Sequence, residues 1–552
     1  MLLQAIGSLM GFHLALFLFL ASLQVTLSKD ILHGSLLVNG ALTKAETGDN
    51  FICATIDWWP HDKCDYDHCS WGYSSVANLD LSHPFLAKAI QALKPLRIRL
   101  GGSLQDQVVY DVGSLKYPCH PFQKMKGGLF GFSKGCLHMK RWDELNHLFN
   151  QTGAIVTFGL NALRGKHQIS HNVWEGAWDP TNAYDFIKYT VSKGYKIDSW
   201  ELGNELSGTG IGACVGVVQY GKDLINLKRI LDMLYENSRF KPSLVAPGGF
   251  YEKEWYDKLL QVSGSGIINV LTHHLYNLGP GSDSHLEGKI LDPERLSKVE
   301  TTFSNLAETI QKHGPWTSAW VGEAGGAYNS GGRFVSNTFL NSFWYLDQLG
   351  MASSYNTKVY CRQTLIGGNY GLLNTSTFTP NPDYYSALLW HRLMGRKVLA
   401  VSSDISSPFL RTYALCSKDR AGVTLLVINL SNQTHFILNV KNPVSVKASE
   451  VTKSIHKERN SFIHNLKKTF SWVGTKGSEV TFREEYHLTP KYGNLRSQTM
   501  VLNGIPLKLT NEGDIPTLNP VHSNVRSPIY IAPLSIAFIV YPNFDAPACA
   551  GH

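Results

Sequence analysis

The chain has no Cys-x-x-Cys and no His-Glu-x-x-His, the spacings that most often hold zinc, so no metal site is expected. Beyond the N-terminus no run of about 18 uninterrupted apolar residues occurs, which excludes a membrane-spanning helix in the body of the protein. The apolar segment from Ile529 to Val540 is followed by polar residues and does not read as a lipid-anchor tail. Charge of one sign is scarce too. A net +8 over 552 residues is met by ordinary surface lysines as well as by a weak preference for acidic polysaccharide, and it gives no reason to expect a nucleic-acid partner.

What is present points outside the cytosol. An apolar block, Leu14 to Leu20, is followed by small residues at Ala21 and Ser22, so Met1 to Ser28 reads as a cleaved secretory signal. The expected destination is extracellular or cell wall, with a vacuolar or lysosome-like compartment and peripheral membrane association as alternatives. A monomer is expected. Sequons at Asn150, Asn374, Asn429 and Asn432 agree with that route. Nine cysteines in an oxidising compartment imply disulfides plus at least one free thiol. Cys64 with Cys69, Cys119 with Cys136, and Cys416 with Cys549 are candidate pairs, although spacing leaves the connectivity open.

Eight short β-rich runs follow in order: 51–57, 96–101, 154–160, 197–204, 243–247, 267–274, 316–323 and 356–364. Amphipathic stretches separate them, among them 142–149, 183–193, 218–236 and 293–312. Eight alternating β/α units with near-continuous apolar strands predict an α/β fold, a (β/α)8 TIM barrel over residues 51–396; an open helix-packed sheet shares the alternation. From about Lys397 short alternating strands take over (423–429, 436–440, 479–482, 499–502 and 535–541), predicting a C-terminal β-sandwich over 397–552. Residues 29–50 carry one more strand that can pair into that second domain. The basic stretch from Lys447 to Lys468 reads as a solvated strand-loop face.

Two of the barrel runs end in glutamate. Ser199-Trp-Glu-Leu-Gly-Asn-Glu205 closes the fourth, and Trp320-Val-Gly-Glu323-Ala-Gly-Gly closes the seventh, 118 positions later. Barrel strands deliver catalytic side chains to one rim, and two carboxyl groups there are the minimum equipment for glycosidic cleavage. Either glutamate alone is as easily a helix cap, but both at strands four and seven form a catalytic pair. Asn204 is placed to bond the sugar hydroxyl beside the reacting carbon, and Glu201 sits deeper as support. His273-His274-Leu-Tyr276 ends the sixth run. Tyr276 can hold a nucleophile ionised and His273 can line a subsite, although alternation points the two histidines oppositely. Arg362, near the end of the eighth run, can orient Glu323 or form a structural ion pair.

The ordered set Leu100-Gly-Gly-Ser103, Leu160-Asn161-Ala-Leu163, Trp200 to Glu205, Gly322-Glu323, Arg362-Gln363, Gly368-Asn-Tyr370, Glu485-Tyr-His-Leu488 and Val501-Leu-Asn-Gly504 resembles glycoside hydrolase family 79. That is the family of heparanase and the plant heparanase-like β-glucuronidases. The resemblance runs from about Phe51 to Cys549. It implies Glu205 as acid/base and Glu323 as nucleophile of a retaining enzyme, with no cofactor. It also implies a substrate-binding set of Asp57, Ser103, Asn161, Asn329, Ser330 and Tyr370, the last three around a uronic carboxylate.

The chain departs from animal heparanase where Val109 to Arg141 is compact and only sparsely basic, and where Trp58-Trp59-Pro60 replaces small polar residues. The reading is therefore a secreted enzyme that removes β-linked glucuronic acid from a glycan or glycoprotein, such as arabinogalactan proteins. An endo-acting enzyme of the heparanase type and a catalytically silent carbohydrate-binding protein are the alternatives. The intact glutamate pair speaks against the silent protein.

Overall fold

A computed structural model describes residues 30–113, 115, 118–442 and 482–550. The signal segment, the basic stretch 447–468 and most of the strand expected at 479–482 lie outside the described residues.

Eight parallel strands close into a barrel: Ile52–Asp57, Arg97–Gly101, Ile155–Leu160, Ser199–Leu202, Ser243–Phe250, Val270–Leu275, Ser318–Ala324 and Val359–Arg362. They correspond one to one with the eight runs expected from the sequence. Closure comes from pairing of the eighth strand with the first, Cys361 opposite Cys53, and a disulfide joins those two residues across the seam. Strand residues alternate between the barrel interior and the helices outside, and both sides are buried, so the runs read as continuous apolar blocks. Cys53, Val245, Val270, Trp320, Val359 and Cys361 fill one interior layer, with the Arg97 guanidinium over the Trp320 ring at 4.4 Å. The helix expected over 293–312 is two, Pro293–Ser297 and Glu300–His313.

Eleven further strands form one sheet, and the short strands left over make one three-stranded and two two-stranded sheets. In Val423–Asn429, Leu426 and Ile428 face the barrel's helices, whereas Leu425 and Val427 face a second core. Leu36, Val38, Phe436, Leu438, Ile529 and Ile531 close that core from the other side, so the sheet wraps over itself as a sandwich does. The N-terminal strand Ile31–Glu46 belongs to this sheet, antiparallel to Met394–Ser403 and parallel to His435–Lys441. Helix Phe339–Ser354, buried on every side except at its last residue, is wedged between barrel and sheet. Its Asp347 accepts from Arg411 Nε at 2.8 Å and from the Tyr413 hydroxyl at 2.6 Å.

Three further disulfides, Cys64–Cys69, Cys119–Cys136 and Cys416–Cys549, match the candidate pairs. Cys53–Cys361 was not among them, and Cys214 is a free thiol. Among the described residues no helix is long and apolar enough to cross a membrane.

Candidate active site

The site is built around Arg99, an inward residue of the second strand. Its Nε donates to Glu201 at 2.7 Å, Nη1 to Glu323 at 2.9 Å and Nη2 to the Asn204 side-chain oxygen at 2.9 Å. One buried guanidinium thus ties the ends of strands four and seven together, and its own ionisation is favoured by the two carboxylates. The other Glu323 oxygen accepts from the Tyr276 hydroxyl at 2.6 Å. Two donors fix that carboxylate as an acceptor.

Glu205 stands three residues past the fourth strand, with backbone φ of 55°. Its N–H donates to the Gly248 carbonyl at 2.7 Å, and its carbonyl accepts from Ile211 at 2.9 Å, so the chain on both sides holds this left-handed conformation. His274 Nδ1 lies 2.9 Å from Glu205 Oε1. Burial pushes the Glu205 carboxyl up to about 7, against the pull of Arg99, and pushes the His274 ring down to about 3. A neutral imidazole therefore faces a readily protonated carboxyl. Carboxylate oxygens of Glu205 and Glu323 and a His274 ring nitrogen lie within 4.8 Å of one another. The trio has metal-ligand chemistry, but Arg99 and Tyr276 already occupy Glu323. A second such trio, Asp111, Cys119 and His138, has its sulfur in a disulfide.

Asp57 accepts from the Trp58 N–H and from Gln363 Nε2, both at 2.8 Å. Burial first, and then the Glu323 charge, push it up to about 7. Gly102 is required beside it: φ is 101°, and a Cβ there would meet Asp57 Oδ1 at 2.3 Å. Asn329, Ser330 and Gly331, with φ of 54°, 67° and 74°, form one left-handed turn. A Cβ on Gly331 would meet the Tyr370 ring at 2.7 Å, so turn and tyrosine are in contact. Trp71 Nε1 donates to the Ser330 hydroxyl at 2.8 Å, that hydroxyl donates to Asp65, and Asn329 donates to the Tyr66 hydroxyl at 3.3 Å.

Three expected site residues are placed elsewhere. His273 faces outward and packs edge-on against Phe303 of the helix behind the strand; the inward histidine is His274. Arg362 also faces outward, because Val359 and Cys361 take the inward positions of its strand; it pairs with Asp383 at 3.0 Å and lies over Trp344 and Tyr345, away from Glu323. Asn161 spends its side chain on backbone, accepting from Leu163 and Arg164 and donating to Val108, so it shapes a loop. Ser103 lies half-buried after Gly102.

Arg99 and Asp106 escaped the sequence reading. Asp106 accepts from the Ala162 N–H at 2.7 Å and the Asn204 N–H at 2.8 Å, bridging the ends of strands three and four. A signal for Arg99 existed: Arg97 and Arg99 occupy alternate positions of a strand otherwise suited to full burial, where a charge needs a partner.

The sequence matches the family model described as Glycosyl hydrolase family 79, N-terminal domain, over residues 33–350. It is 62% identical over 527 residues to Heparanase-like protein 1 of Arabidopsis thaliana, covering 95% of this chain and 96% of the relative. It is 39% identical over 513 residues to the baicalin-β-D-glucuronidase of Scutellaria baicalensis, covering 90% of each. A 4-O-α-L-rhamnosyl-β-D-glucuronidase from Fusarium oxysporum 12S has the same fold, with a TM-score of 0.60 at 15% identity over 92% of this chain and 100% of that one.

Proposed function

We propose, from the premise that this chain belongs to glycosyl hydrolase family 79, that it is a retaining β-glucuronidase releasing terminal glucuronic acid from a glycan or glycoprotein. The observation that carries the reading is the Glu205–Glu323 pair, with carboxylate oxygens within 4.8 Å of each other. Retention needs carboxyl groups about 5 Å apart, close enough for one to attack the anomeric carbon while the other protonates the leaving oxygen.

The environments divide the roles. Glu205, raised by burial, carries the proton. With the His274 proton on Nδ1, the ring donates to Oε1 and leaves Oε2 to protonate the leaving oxygen. Glu323, bonded by Arg99 and Tyr276, attacks and forms the glycosyl ester; Glu205 then takes a proton from the water that hydrolyses it. Asn204, oriented by Arg99, is placed for the neighbouring sugar hydroxyl. The turn at Asn329–Gly331, beside Tyr370, supplies fixed donors for a uronic carboxylate. The reading includes a secretory or mildly acidic compartment and glucuronic acid caps of arabinogalactan proteins as a substrate class; the relative named as a baicalin-β-D-glucuronidase supports its glucuronidase part.

The test is hydrolysis of a chromogenic β-glucuronide against the matching β-glucoside. The glucuronide is expected to be released selectively, and Glu323→Gln and Glu205→Gln are expected to lose about a thousandfold or more in kcat. Equal release of both sugars, or turnover surviving Glu323→Gln, would overturn the assignment.

A further inference from the structure

The fourth strand ends at Leu202, and the next three backbone N–H groups go to three different partners. Gly203 donates to the Leu160 carbonyl at the end of strand three, at 2.9 Å, and Glu205 to the Gly248 carbonyl of strand five, at 2.7 Å. Between them, the Asn204 N–H donates to Asp106 Oδ2 at 2.8 Å. Gly203 and Glu205 are both left-handed, with φ of 73° and 55°, so the chain turns twice within three residues. A side chain in that conformation persists only where its surroundings hold it there.

Of the three anchors, Asp106 is the one side chain. It sits on the short turn Gln105–Gln107 after strand two, and Gln105 Nε2 fastens that turn to the Leu160 carbonyl at 3.1 Å. The second Asp106 oxygen accepts from the Ala162 N–H at 2.7 Å, so both oxygens are committed to main chain. Asp106 is 5% exposed and, among the described residues, makes no ion pair. Burial raises it to about 7 against the pull of those two N–H groups and of the Arg99 charge. A carboxyl kept there costs stability as it ionises. It is also the short side chain with two acceptor atoms, which two converging N–H groups require.

The reaction proposed above, on which this inference rests, needs Glu205 to present its proton to the departing oxygen. We propose that Asp106 is a positioning residue for that step: it pins the Asn204 N–H and so fixes the turn from which Glu205 reaches the leaving group. Arg99 holds the Asn204 side chain, and Asp106 holds its main chain. The effect on Glu205 passes through the backbone alone.

Asp106→Asn keeps the size but has a single acceptor, so one of the two N–H groups must face an amino group. The probes are phenyl β-D-glucuronide, whose phenolate leaves poorly without a proton, and 2,4-dinitrophenyl β-D-glucuronide, whose phenolate leaves readily without one. They are assayed below about pH 7, where Glu205 holds its proton. The ratio of kcat/KM, phenyl over dinitrophenyl, is expected to fall about tenfold in Asp106→Asn, as a displaced acid requires. Asp106→Ala, which removes both acceptors, is expected to lower it at least as far and decides the matter if Asp106→Asn does not fold. In Glu205→Gln the ratio is expected to fall about a hundredfold or more. Adding Asp106→Asn to that variant is expected to leave the ratio where it is, because both residues act on one proton.

Equal losses on both substrates, or loss of folding in both Asp106 variants, assign Asp106 to stability alone and overturn the proposal. An unchanged ratio, or a further fall in the double variant, overturns it too. Wild type that cleaves neither compound defeats the glucuronidase reading and the proposal with it. Wild type that cleaves both leaves the ratio to decide the proposal by itself.

Discussion

One position along the sixth strand separates a histidine bonded to the acid/base from one packed against Phe303. His274→Ala is therefore expected to cost up to about a hundredfold in kcat, because a slightly displaced Glu205 loses its reach. His273→Leu is expected to keep kcat/KM near wild type; a large loss there would contradict the outward placement. The pH profile follows from Glu205: kcat is expected to fall as pH rises through about 7, where the acid loses its proton, and a rate that is flat to pH 9 would argue against that role. At this scale the sequence was legible where a residue type had one chemical use. The two glutamates and Tyr276 stood out at strand ends. Side-chain parity was not readable at the histidine pair, since Val270–Leu275 is buried on both faces and nothing in the run marks which alternate set faces the barrel interior. Arg362 stayed between orienting Glu323 and a structural ion pair for the same reason; the inward Cys361, bonded to Cys53, turns it outward to the ion pair with Asp383.

The barrel strands were legible as elements because burial on both faces leaves short continuous apolar runs. Helix Phe339–Ser354 had no such signature. A helix buried almost all round has no polar stripe, so the 3.6-residue pattern that marks an amphipathic helix is absent. Its attachment to the sheet rests on Asp347, and Asp347→Ala is expected to cost about 3–5 kcal/mol because the Arg411 guanidinium is left buried without its partner. Pairing Asp347→Leu with Arg411→Met is expected to restore part of that loss in a denaturant melt. A double variant no better than the single one would deny the coupling.

Across the whole molecule, Asp57, Asp106 and Glu205 are each raised to about 7, chiefly by burial. Their protonated forms are favoured on folding, so the associated stability is complete below the unfolded carboxyl range near 4. It is lost as pH rises through about 7. The thermal midpoint is expected to fall between pH 5 and pH 8 and to fall less in Asp106→Asn, and a midpoint rising over that range would refute the sign.

The N-terminal strand adds a demand of a different kind, one of time. Ile31–Glu46 is made well before its partners: Met394–Ser403 comes about 350 to 370 residues later and His435–Lys441 about 400 later. At about 5–20 residues per second roughly 20 to 80 seconds pass before both of its edges can be covered. Throughout synthesis the nascent chain carries an unpaired β-edge, and the last domain to be made is the one that finally covers it.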